Sequence, residues 1–155
     1  MKRFPLEDTK RKALYDMVVN HKTHDDMEET HRLTVKAMLE MVEGDFFSRD
    51  LRPCHMTACA VVVNRTFTKT LVQRHKYQKR VMWAGGHADG DHVPKRVSKK
   101  EFFEEVGNMP IELAPNGELF DLDWHQVRAN PAKNEGVHLH ADFRCLFILD
   151  DTIPL

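Results

Sequence analysis

The run Met56 to Asn64, MTACAVVVN, constrains this fold more than any other part of the chain. It is short, almost continuously apolar and rich in small and β-branched residues. It therefore reads as a central strand covered on both faces. Two helices are expected before it. Residues 7–20 read as the first, with Leu6, Leu14, Met17 and Val18 on its apolar side and Pro5 at its start. Asp25 to Val42 reads as the second. Met27, Leu33, Thr34, Met38, Met41 and Val42 recur at roughly helical spacing, and Gly44 ends it. Its methionines are expected to fill core. Phe46 to Pro53 is a connector.

After the central run the periodicity shortens. Asn64 to Thr68 reads as a turn and the alternating Thr70 to His75 as a second strand, which together suggest a hairpin. Val81 to Trp83 is a short third strand, and Gly85, Gly86 and Gly90 mark a loop. Ser98 to Val106 is helical, with Gly107 placed to stop it. Ile111 to Leu113, Glu118 to Val127 and Val137 to Leu149 read as strands with connecting turns. Asn130 to Gly136 (NPAKNEG) is a turn-rich loop. Two helices followed by strands around a central helix give an α/β or α+β single domain. A chain of 155 residues suits one such core.

Charge and cysteine content exclude several classes. The formal net charge is −1, which marks neither a general nucleic-acid binder nor a membrane-surface binder. The longest apolar run, around Ala58 to Val63, is far too short to span a bilayer. Met1-Lys2-Arg3-Phe4-Pro5 opens basic but is followed by Glu7, Asp8, Lys10 and Arg11 rather than an apolar stretch, so a cytoplasmic location is expected. The three cysteines, Cys54, Cys59 and Cys145, form no CxxC pair. Cys59 and Cys145 sit in apolar runs and are expected as small buried hydrophobes of a reducing compartment.

Glu101, Glu104 and Glu105 carry the chemistry. Their i, i+3, i+4 spacing puts them on one helix face. Three carboxylates packed there repel one another unless a cation sits among them. Hard oxygen ligands suit Mg²⁺ or Mn²⁺, and Mg²⁺ commonly binds through a few carboxylates plus substrate phosphates. Phe102, Phe103 and Val106 occupy the other side and anchor the helix. Lys100 precedes Glu104 by four residues and can hold it in place. An isolated ExxEE is more often a solvated acidic face. Here Gly85-Gly86-His87-Ala88-Asp89-Gly90-Asp91 lies just upstream, and glycines let backbone approach a metal or phosphate closely.

Gly86 to Asn108, GHADGDHVPKRVSKKEFFEEVGN, resembles the Nudix box. That box runs Gly, five residues, Glu, seven residues, Arg-Glu, an apolar residue, any residue, Glu-Glu, any residue, Gly. Gly86, Glu101, Phe102, Glu104, Glu105 and Gly107 match it without a gap. The GGHADGD wording is similar to one bacterial subgroup, as are the flanking segments HMTACAVVVN and HLHADFRCLF. The likeness covers roughly residues 46–149 and is weaker in the N-terminal helices. It implies a Nudix fold, a mixed β-sheet sandwiched between helices. It implies hydrolysis of a nucleoside diphosphate linked to another moiety, with Mg²⁺ or Mn²⁺ as cofactor. Glu101, Glu104 and Glu105 would be the metal-binding carboxylates, completed by the carbonyl of Gly85 or Gly86. Glu101 or Glu104 would alternatively deprotonate the attacking water. His87, Asp91, His138 and His140 are the expected substrate-binding residues, and the substrate a small nucleotide-like diphosphate rather than nucleic acid or membrane.

The chain departs from the box at two positions. His92 stands where the first Glu is found, with Asp91 adjacent as a substitute. Lys100 replaces Arg, keeping the charge but losing the planar fork that grips a carboxylate with two bonds. Lys99 falls on the side facing the core and is expected to snorkel outward. The chain stops at Leu155, soon after the strand ending near Leu149, where similar proteins continue. That implies a bare face and a homodimer covering it.

Other residues divide between packing and function. His138 and His140 alternate on one strand and so share a face, either lining the substrate cleft beside Asp142 or standing as polar positions on a half-exposed strand. His87 is expected to touch phosphate or orient a glutamate, and His55 to be structural. Trp83 is expected in the core, and Trp124 to pack or, as the less favoured alternative, to stack on a base. Two rival functions follow: a catalytically weak or inactive Nudix-fold protein that binds a nucleotide metabolite, and a His-rich transition-metal binder. The ten histidines are scattered through the sequence without a tight cluster, which argues against the last.

Overall fold

Two helices form the N-terminal part. α1 (Thr9–Asn20) begins where the Asp8 side chain accepts from the Lys10 and Arg11 amides, and it buries Leu14 and Val18. α2 (Asp26–Met41) is capped by Asp25, whose carboxylate accepts from the Glu28 amide. Its inward face corrects the expected one. Val35 and Leu39 are buried, whereas Leu33, Met27 and Met41 are 52%, 66% and 73% exposed. The cause is Glu28, which takes the inward position of the first turn. Its carboxylate accepts from the amides of His24 and Leu122 and meets the His21 ring at 2.6 Å. Burial alone would raise this carboxyl, but those bonds hold it below its ordinary range. The stripe Glu28–Val35–Leu39 therefore faces in, and two methionines face water.

The computed structural model describes residues 5–76, 79–150 and 152–153. The basic opening Met1 to Phe4 and the terminal Leu155 lie outside the described residues. The strands are β1 (Cys54–Val63), β2 (Thr70–Leu71), β3 (Gln73–Arg74), β4 (Val81–Met82), β5 (Ala84–His87), β6 (Ile111–Leu113), β7 (Asp121–Val127) and β8 (His138–Leu149). A six-stranded mixed sheet centres on β1 and β8, which pair in parallel from Cys54↔Leu139 to Val63↔Ile148. β2 and β5 both pair antiparallel to β1, and β6 and β7 both pair antiparallel to β8. β3 and β4 form a separate two-stranded ribbon. The helix expected from Ser98 starts earlier, as α3 (Pro94–Glu105), with Pro94 at its first turn, where a missing amide costs nothing.

Gly85 and Gly86 are strand residues of β5, not loop; only Gly90 of the three has a positive φ, +91°. The expected hairpin forms, but it is broken at Val72, so that β2 joins β1 and β3 joins β4.

Strand alternation splits the sheet into two unlike faces. Met56, Ala58, Ala60 and Val62 of β1 share one face with Ala141, Phe143, Cys145 and Phe147 of β8. The two large cores lie there. Leu14, Val18, Val35 and Leu39 enter one, and Phe102 of α3 enters the other. The opposite face carries a small apolar cluster, Val61, Ala114 and Leu146, with Val63, Trp83, Phe120 and Ile148 packed against it. No residue of that cluster comes from a helix. The expected sandwich is thus met on one face: the helices supply the cores of the α3 side, and the other face is largely polar. Cys54 and Cys145 are buried, and burial pushes the Cys145 thiol up to about 12. Among the described residues, no helix is long and apolar enough to cross a membrane.

Candidate functional site

α3 carries the three glutamates and sets Glu101 and Glu105 beside β5. Phe102 is fully buried, Phe103 and Val106 pack against the same core, and this fixes the helix rotation. Lys99 is exposed as expected, its Nζ lying 5.6 Å from the centre of the Phe103 ring.

Glu101 lies against Gly86. A Cβ added at Gly86 would fall 2.2 Å from Glu101 Oε2, so only glycine leaves room for this carboxylate. Gly85 has its own constraint, since a Cβ there would meet Cys59 Sγ at 2.4 Å and the Ala58 carbonyl at 2.8 Å. The glycine pair is therefore a close approach of strand to helix on one face and strand to strand on the other. Burial raises the Glu101 carboxyl. Lys100 draws it down, and the charges of Glu104 and Glu105 add to the rise.

The other two glutamates have different surroundings. Glu105 accepts from the Gln73 side-chain amide at 2.5 Å and from the Gly85 amide at 3.2 Å, with His75 Nε2 at 3.5 Å. Glu104 is exposed. Lys100 bonds Glu101 Oε1 at 3.3 Å, the adjacent residue, instead of bridging to Glu104 as the helical spacing suggested. Asp91 is engaged by Arg96 through two bonds of 2.9 and 2.6 Å and accepts from the Val93 amide. It steadies the entry to α3. His92 lies edge-on to Phe47, ring centres 6.0 Å apart.

The remaining expected residues gather elsewhere. His55, His87, His138 and His140 each bring one ring nitrogen into a set whose members all lie within 4.8 Å of one another. The registers explain it. His55 is the parallel partner of His140, and His87 pairs opposite Thr57, two residues further along β1. His138 and His140 share a face as alternation required, with Nε2 atoms 3.1 Å apart. The histidines scattered in sequence thus form a tight cluster in space, which overturns the ground on which a transition-metal binder was set aside. Burial drives the His87 imidazole down to about 4 and that of His140 down to about 2, so both rings are neutral at pH 7.

Beyond that cluster on the same face runs a charged group of which the sequence had marked only Asp142. Asp142 accepts from Thr57 Oγ1 at 2.9 Å and from Arg144 Nε at 3.3 Å, and Cys59 Sγ lies 3.4 Å from it. Arg144 also bonds Asp121 and Asp123, each at 2.6 Å. The only sequence signal for this group was the alternation of Asp121 with Asp123 and of Asp142 with Arg144.

Comparison with known proteins gives one finding of weight. The chain is 34% identical over 77 residues to a protein of Lactococcus lactis subsp. cremoris (strain MG1363) named as a probable DHNTP pyrophosphohydrolase. The aligned part is 50% of this chain and 45% of that protein, so the chain spans less than half the length of the curated relative it matches. No protein-family model matches the chain.

Proposed function

We propose that this chain is a Nudix-type pyrophosphohydrolase that uses Mg²⁺ or Mn²⁺ to cleave a diphosphate linkage in a nucleoside diphosphate joined to another moiety. The observation that carries the reading is the fit of the Glu101 carboxylate against Gly86, where a single added carbon would displace it. A half-buried acid built so tightly against a strand backbone has a role beyond solubility. The name of the Lactococcus relative supports the reaction class.

The donors present suit a hard cation. Glu101, Glu104, Glu105 and the carbonyl of Gly86 offer only oxygen. When bound there, such a cation would acidify a water and offset charge on the phosphate oxygens. Glu101, whose carboxyl is raised by burial, is the better-tuned general base, and exposed Glu104 the alternative. Glu105 is oriented by Gln73 and the Gly85 amide, which ties α3 to β3 and β5. Lys100 offsets part of the negative charge on Glu101.

A second reading, binding of a nucleotide metabolite without cleavage, draws on the first acidic position of the box. His92 replaces that carboxylate, and Asp91 is already held by Arg96. The two readings part on one experiment. A panel of nucleoside diphosphate derivatives is incubated with Mg²⁺ or Mn²⁺ and scored for phosphate products. Turnover that falls by at least about 100-fold in Glu101→Gln and Glu104→Gln supports hydrolysis at this site. Binding of a panel member without turnover supports the second reading, and turnover indifferent to both substitutions refutes the site.

A further inference from the structure

We propose that His55, His87, His138 and His140 form a binding site for a divalent transition metal of the Zn²⁺ class, separate in chemistry from the carboxylates of α3. Three strands supply the ligands: β1 gives His55, β5 gives His87 and β8 gives His138 and His140. The set contains no carboxylate. Imidazole nitrogen suits Zn²⁺, Cu²⁺, Ni²⁺ and Fe²⁺ and is a poor partner for Mg²⁺.

The hydrogen bonds around the rings point the same way. His55 Nδ1 lies 3.1 Å from the Leu51 carbonyl, and His138 Nδ1 lies 2.8 Å from the Gly136 carbonyl. A carbonyl only accepts, so each Nδ1 carries the proton. In the neutral ring, each Nε2 then holds a lone pair. This is the arrangement by which backbone carbonyls orient metal-bound histidines. His55 Nε2 is buried and has no hydrogen-bond partner among the described residues, and His55 as a whole is 1% exposed. An acceptor lone pair left bare in a protein interior is costly unless something electrophilic meets it. His138 is 5% exposed.

The spacing is close to what coordination requires. Two nitrogens on one tetrahedral Zn²⁺ are about 3.3 Å apart, from bonds of about 2.0–2.1 Å. His138 and His140 already stand at 3.1 Å, and the whole set lies within 4.8 Å. A fifth ring, His125, lies 5.4 Å from His140 but is held aside by Asp123 at 3.0 Å. Four protein ligands make a closed site, which is structural in character. The metal would clamp β5 to β8 across β1, and so fix the strand that carries Gly85 and Gly86. With metal bound, the bare lone pair on His55 is satisfied.

The test uses the full chain, stripped with a chelator and titrated with Co²⁺ and then Zn²⁺. One equivalent of Co²⁺ should produce the visible absorption of a tetrahedral nitrogen site. Zn²⁺ should displace it stoichiometrically, and excess Mg²⁺ should leave it in place. His87→Gln and His140→Gln, both at half-buried positions, should each weaken Zn²⁺ binding by at least about tenfold, while the exposed His24→Gln leaves it unchanged. Circular dichroism of each variant establishes that it is folded. Should the buried His55→Gln fail to fold, the Co²⁺ spectrum of the unmodified chain still decides. An octahedral or absent Co²⁺ spectrum overturns the proposal, as does Zn²⁺ affinity equal in the folded His87→Gln and His140→Gln variants and the unmodified chain.

Discussion

Gly86 is the residue on which the proposed site turns most sharply. The atom that a Gly86→Ala Cβ would strike is the end of the Glu101 side chain, not backbone. The carboxylate can swing away, so the fold should survive with little change in thermal midpoint. Its placement would be lost, and a displacement of about 1 Å at a reacting group costs on the order of 100-fold in rate. The expected result is an intact, stable protein with turnover down by that factor. A large fall in midpoint would show instead that Gly86 serves packing. The tightness of this contact was not legible from the sequence, where the glycine pair looked like loop. The glutamates themselves were legible, because helical spacing alone brings i, i+3 and i+4 together. The histidine cluster was not, because it needs the β1–β8 register and a β5 partner more than 30 residues from His55 in the sequence.

Among the elements, α2 has an end that depends on a residue of another helix. Its last turn leaves carbonyls without helical partners. Arg11, 2% exposed, donates to the Leu39 carbonyl, joins the Val42 amide at the Met38 carbonyl, and reaches the carbonyls of Val42 and Gly44 beyond the helix. Its guanidinium also lies 5.3 Å from the centre of the Phe46 ring. Arg11→Met removes these donors while keeping much of the apolar stem. We expect a loss of about 2–4 kcal/mol, read as a lower urea midpoint with unchanged slope. A loss below about 0.5 kcal/mol would mean the carbonyls find water instead. Glu28 and Arg11 also explain why the buried face of α2 could not be read from apolar spacing. Both are charged residues that go inside because backbone groups from other elements satisfy them. By contrast, β1 was legible in its continuous apolar run and the body of α3 in its own periodicity, although not the start of α3 at Pro94.

At the scale of the whole molecule, the polar face of the sheet gives stability a defined pH window. The hydrogen bond to His125 is the main cause holding the Asp123 carboxyl down to about 2, against an ordinary 3.8. Burial opposes this, and Arg144 adds to the lowering. A depressed acid stabilises the fold fully above its unfolded value and loses that contribution as pH falls through the folded value. His125 is raised by its bond to Asp123, with burial opposing. Its contribution is complete below 6.5 and declines as pH rises through the elevated value. Stability from this pair should therefore be greatest between about pH 4 and 6.5 and fall on both sides, by of order 1–2 kcal/mol on the acid limb. Denaturant midpoints measured across pH check this, and Asp123→Asn should flatten the acid limb. An acid limb unchanged by that substitution would contradict the assignment.

Hydrolysis at the α3 carboxylates is open to single-turnover measurement with Mg²⁺ on the best substrate of the panel. The unmodified chain should release phosphate product, and Glu101→Gln should lose at least about 100-fold in rate while still binding substrate. Product formed at the same rate by Glu101→Gln would contradict it.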